Sequence, residues 1–148
     1  MRNSEAASNE FFSSKSFWKP LLLLVFFSNF YLHKAEAQKL TFCENVNEKG
    51  IPEKANTVFT IPAEGGSLQV LATLRRPIEA NNALMDIFFI DPQTKKEIFE
   101  NTIRLKTELY WSWFKSEVTF YRAGEYVVYV YDERDKMLCA GKVKIEIN

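Results

Sequence analysis

From residue 38 onward the chain reads as short apolar runs with a period of two, separated by turn residues. A brief run at Lys39–Cys43 comes first. Residues 57–61 (TVFTI) follow and stop at Pro62, with a turn at 63–66 (AEGG). Residues 67–74 alternate, setting Leu68, Val70, Ala72 and Leu74 on one face, as a half-buried strand requires. Arg75, Arg76 and Pro77 close that run, and 79–82 (EANN) is loop. Residues 84–90 are apolar on both faces except at Asp86, which predicts a central strand. After the turn at 91–94 (DPQT) come two weaker strands, at 97–105 and 109–121, the second with a break predicted near Lys115. A tight corner at 122–124 leads into 125–131, again apolar on both faces. The turn at 132–135 (DERD) precedes Met137–Ile147, where Val143, Ile145 and Ile147 alternate with Lys142, Lys144 and Glu146. No segment carries helical periodicity, an internal repeat or low complexity. Seven or eight strands at this spacing predict an all-β, antiparallel β-sandwich.

The first 37 residues follow another logic. Lys15 and Lys19 precede an apolar run at 21–32 (LLLLVFFSNFYL), and Ala35 and Ala37 flank Glu36 just before Gln38. Positive flank, apolar run of about a dozen residues and Ala-x-Ala are the three parts of a secretory signal. The reading is therefore a signal peptide at 1–37 and a single domain at 38–148, in the periplasm or outside the cell, with no membrane insertion after cleavage. A membrane anchor is the competing reading, but a spanning helix needs roughly 20 apolar residues. This run is shorter and broken by Ser28 and Asn29. A lipid anchor on Cys43 is rejected, because lipoprotein signals need a small residue where Phe42 stands.

Charge narrows the function classes. The whole chain carries 19 basic and 19 acidic side chains. Residues 38–148 keep fifteen and sixteen of them, a net charge near −1 with no basic stripe, so a nucleic-acid partner is not expected. The single histidine, His33, lies in the leader. Without histidine the domain cannot run Ser-His-Asp or Cys-His catalysis, nor build the imidazole sites that zinc and copper favour. No phosphate-binding, dinucleotide or nucleophile-elbow motif is present. The expectation is a protein that is not an enzyme and uses no cofactor and no metal.

Several residues nonetheless invite a chemical reading. Cys43 and Cys139 form an even pair, which in an exported protein reads first as a disulfide. A soft metal or redox site on Met137 and Cys139 is the alternative, without a CxxC spacing to support it. Tyr110, Trp111, Ser112, Trp113 and Phe114 make the densest aromatic stretch. In a strand Trp111 and Trp113 share one face, which suits stacking on sugar rings, although core packing explains the same residues. The turn at Asp132–Asp135 offers oxygen ligands for calcium, opposed by Arg134, and a solvated hairpin is the plainer reading. Arg75 and Arg76 could dock a carboxylate or simply end a strand. Glu97 and Glu100 point to opposite faces of a strand and imply no paired-carboxylate hydrolase.

One segment carries a family resemblance. Residues 120–128 (FYRAGEYVV) resemble the corner leading into strand F of immunoglobulin-like domains, with Tyr126 matching the tyrosine whose hydroxyl ties that corner down. Gly124–Asp132 (GEYVVYVYD) is similar to the Gly-x-Tyr-x-Val-x-Val-x-Asp run of exported bacterial immunoglobulin-like and PKD-like modules. The resemblance implies an immunoglobulin-like sandwich. Val128 stands where antibody-type domains carry a cysteine, so Cys43 and Cys139 would instead link the first and last strands. Fold analogy does not carry function. On the residues alone, the leading expectation is a non-catalytic binding or structural module that recognises a protein through a sheet face or loops. A carbohydrate-binding module using Trp111 and Trp113 is the alternative, and an inhibitor presenting the 79–82 loop comes third.

Overall fold

The computed structural model describes residues 38–148; the predicted signal peptide lies outside the described residues. The period-two pattern becomes ten strands: β1 (Lys39–Cys43), β2 (Asn45–Val46), β3 (Pro52–Glu53), β4 (Val58–Ile61), β5 (Gly66–Thr73), β6 (Asn82–Ile90), β7 (Glu97–Lys106), β8 (Trp113–Phe120), β9 (Gly124–Asp132) and β10 (Met137–Ile147). Two sheets face one another. The smaller has the order β1-β5-β8 and the larger β4-β10-β9-β6-β7, while β2 and β3 form a separate hairpin. With β1, β5 and β8 on one side and β6, β9 and β10 on the other, this is the partition of an immunoglobulin-like sandwich, with β9 in the place of strand F.

Alternation builds the core. Leu68, Val70 and Ala72 of β5 point inward with Leu40 and Phe42 of β1 and Phe114, Val118 and Phe120 of β8. They meet Met85, Ile87 and Phe89 of β6, Tyr126, Val128 and Val130 of β9, and Val143 and Ile145 of β10 in one buried cluster. Burying a side chain of this size contributes about 1.5–3 kcal/mol. At Gly141 a Cβ would lie 3.1 Å from Leu40 and Phe42, so a larger residue there would press on both side chains.

The corner before β9 is tied down by Tyr126. Its hydroxyl donates to the Arg122 carbonyl at 3.0 Å. The buried ring packs edge-on against Phe120 and Phe89, with centroids 4.8 and 5.3 Å away. Gly124 has a φ of 144°, and a Cβ there would run into the Phe89 ring. Only glycine meets both conditions.

Three expectations are corrected. The large sheet is mixed, because β4 runs parallel to β10, with Val58 opposite Lys144 and Ile61 opposite Ile147. Nearly the whole domain separates these two strands, so no hairpin imposes an antiparallel pairing. The second weak strand does not break at Lys115; β8 is continuous, and residues 109–112 are loop, bonded through Leu74 N to Ser112 O (2.7 Å) and Ile78 N to Trp111 O (2.8 Å). Finally, Cys43 and Cys139 are both free and buried. In β1, Leu40 and Phe42 take the core face, so Cys43 turns to the other side of the small sheet, whereas Cys139 belongs to the core. The expected bridge would have to pass through the sheet.

The hairpin is the element that period-two reading did not find. It closes at Asn47, whose side-chain oxygen accepts the backbone N–H of Lys49 (2.9 Å) and Ile51 (3.0 Å). The hairpin contributes Val46 to a second apolar cluster with Cys43 and Leu71, against which Trp113 packs. A third layer thus covers the outer side of the small sheet.

Candidate functional site

Residues opposite one another in neighbouring antiparallel strands point to the same face of a sheet. Met85, Ile87 and Phe89 take the inner face of β6, so Leu84, Asp86 and Phe88 point outward. Register then aligns Tyr131, Leu84 and Arg104 in one outward row, Tyr129, Asp86 and Thr102 in the next, and Lys142, Val127, Phe88 and Phe99 in a third. The result is an aromatic strip. Phe88 meets Phe99 and Tyr129 edge-on, each at 5.7 Å between centroids, and Tyr129 lies 6.4 Å from Tyr131. Edge-on aromatic pairs contribute about 0.5–1.5 kcal/mol beyond their buried area, so the strip holds its own shape.

The strip remains open to solvent. Phe99 is 58% exposed, and Phe88, Tyr129, Tyr131 and Leu84 are half-buried. Polar groups frame it. The Tyr129 hydroxyl donates to Glu97 Oε1 at 2.7 Å, and that bond, with a smaller effect of burial, raises the phenol above its ordinary value. Thr102 donates to Asp86 at 2.6 Å. Arg104 and Lys142 stand exposed on either side. An apolar, aromatic centre inside a polar rim is the composition of a protein-binding patch.

The residues singled out from sequence distribute differently. Trp111 and Trp113 do not share a face. Trp111 lies in the 109–112 loop and packs on the main core, while Trp113 packs on the second cluster. A Cβ on Gly50 would sit 2.5 Å from the Trp113 indole, so the hairpin covers that ring. Tyr110 is 73% exposed, and an open cleft of about 540 Å³ follows residues 110–115.

Asp132 is buried and accepts the backbone N–H of Arg134 (2.8 Å) and Lys136 (3.0 Å), the work of a turn residue. Among the described residues no group of three potential ligands is gathered for a metal. Glu97 bonds Tyr129, whereas Glu100 pairs with Arg122, so the two carboxylates serve separate partners. The reading from sequence passed over Phe88 and Phe99. The signal of Phe88 was present, since 84–90 is apolar on both faces, but it was read as burial on both sides; Phe99 lies in 97–105, read only as a weaker strand.

The chain matches no known protein family and no curated protein. Among solved structures it is similar to an immunoglobulin-like protein from Pseudomonas aeruginosa, with a TM-score of 0.47 and 10% identity over 74% of this chain and 95% of that one. It is also similar to a superoxide reductase (neelaredoxin) from Ignicoccus hospitalis, with a TM-score of 0.47 and 10% identity over 78% of this chain and 84% of that one. At these values the likenesses carry no argument; the fold assignment rests on strand order and register.

Proposed function

We propose that the chain is an exported, non-catalytic binding module that engages a protein partner through the outer face of the large sheet. The supporting observation is the exposed strip of Phe88, Phe99, Tyr129 and Tyr131 inside a charged rim. Aromatic residues dominate the energy of protein interfaces because they bury large rigid surfaces at low entropic cost. A domain without histidine or a cluster of ligating side chains among its described residues gives no support to a catalytic reading.

The test places a photo-crosslinking amino acid at Phe99 in the full-length chain, produced in its own cells, with a control at Ile51 of the hairpin, also exposed. A discrete protein adduct from position 99, absent from position 51 and lost on Tyr131→Ala, is the expected outcome. Identical adducts from both positions, or none from position 99, would overturn the proposal. The glycan reading now rests on Tyr110, Trp111 and the half-buried Trp113 beside an open cleft. Glycan binding that is lost in Tyr110→Ala, with no adduct at 99, would favour it.

A further inference from the structure

The arginines are unevenly placed. Residues 38–148 contain five, and three of them, Arg75, Arg76 and Arg134, line one concavity of about 870 Å³ at an end of the sandwich. Lys136 joins them. Two connections form the walls: the segment after β5, carrying Arg75 and Arg76, and the β9–β10 turn, carrying Arg134 and Lys136. Arg134 Nη2 reaches the Glu79 carbonyl at 3.5 Å and so approaches the opposite wall.

Charge in this concavity is not balanced. Against four cations stand two carboxylates, Asp132 and Glu79. The Asp132 carboxylate is turned into its own hairpin, accepting two backbone N–H groups. None of the four cations makes an ion pair among the described residues; the three ion pairs there use Lys54, Arg122 and Lys144 instead. The rest of the domain carries eleven basic and fourteen acidic side chains, a net acidic balance, so a convergence of four unpaired cations is a local departure. Strand ends often carry a solvated charge, but that explains one or two cations, not four drawn from two separate connections around one cavity.

We propose that this concavity is an anion-binding site for a small ligand bearing two or more oxyanion groups, phosphate, sulfate or carboxylate. Guanidinium forks hold such groups bidentately, a geometry a lysine cannot reproduce. The volume lies within the range of small-molecule sites and exceeds what one inorganic ion fills. This site lies on other elements than the aromatic strip and stands or falls independently of it.

The test is an NMR titration of the purified full-length protein at low ionic strength, where screening is least. The probes are inorganic sulfate, inorganic pyrophosphate and tricarballylate, so that one oxyanion group, linked phosphates and linked carboxylates are distinguished. Saturable shifts at the Arg75, Arg76 and Arg134 side chains are expected, tighter for the two multivalent probes than for sulfate. The R75A/R76A variant should weaken them by about tenfold or more. Because both side chains are exposed, this variant keeps the fold, which the unchanged remainder of its spectrum verifies. Arg75→Lys with Arg76→Lys should recover only part of the affinity. Shifts that never saturate, that are as large at Lys142 and Lys144, or that persist in R75A/R76A would overturn the assignment.

Discussion

Reducing the protein should change neither its mass nor its melting temperature. Cys43 and Cys139 enclose about 97 residues, and a bridge across that span would stabilise by about 4.7 kcal/mol in the chain-entropy treatment. For a domain of this size, with about 4 °C per kcal/mol, its loss would lower the midpoint by roughly 20 °C. The fold places the two thiols in different apolar clusters, Cys43 beneath the hairpin and Cys139 in the core. The Cys43 thiol approaches the Gln69 carbonyl at 3.6 Å, and burial raises it above the ordinary thiol value. Burial alone pushes Cys139 up to about 12, so at pH 8 only about one molecule in ten thousand carries that thiolate. The assay combines intact mass and calorimetry with and without dithiothreitol, and Ellman's titration of native and unfolded protein. Two thiols silent in the native state and both reactive after unfolding are expected. A gain of two hydrogens on reduction, with a fall of about 20 °C, would refute the placement of β1.

Two further predictions follow from buried groups. Tyr126→Phe should lose about 1 kcal/mol in chemical denaturation, since it removes one hydrogen bond while the exposed position of Arg122 lets water take over the carbonyl; a loss above about 3 kcal/mol would mean that the rings around Phe89 and Phe120 had rearranged. Cys139 sets a pH dependence: its thiol is raised in the folded state from 9.0 to about 12, so its contribution is fully present below pH 9 and is lost as pH rises toward 12, by at most about 1.4 kcal/mol per pH unit. Comparing the alkaline slope of stability in the parent and in Cys139→Ala isolates this contribution from the tyrosines, and equal slopes would sink the argument.

How far the fold was legible varies by element, for physical reasons. A strand that shows one face to the core writes itself into the sequence, and Leu68, Val70, Ala72 and Leu74 sit where the alternation put them. The bounds of β10 were readable for the same reason, and the corner around Gly124 and Tyr126 is a local device with a local signature. The hairpin at 45–53 was not legible. Each strand has two residues, too short for any period, and its hold on the sheet comes from Val46 and from Trp113 packed on Gly50, partners distant in the chain. The partition of Trp111 and Trp113 was lost with it. Two residues apart, they share a face only if both are in a strand, and the loop at 109–112 excludes Trp111 from β8.

The aromatic strip was visible but assigned to the wrong cause. An apolar run on both faces of β6 and β9 predicts burial on both faces, and that inference assumes a layer on each side. A two-layer sandwich has only one interior. On the small sheet the hairpin supplies the missing layer, which accounts for Leu71, Cys43 and Trp113 being apolar on the side away from the core. On the large sheet no described element plays that part, and Phe88, Phe99, Tyr129 and Tyr131 are left half-covered or open. The core beneath is already closed by Met85, Val128 and Val130, none of them exposed, so folding gives no reason for aromatic rings on the outer side. Exposed apolar surface of this kind costs solubility and invites association. A partner that covers the strip would supply the third layer there, as the hairpin does for the small sheet.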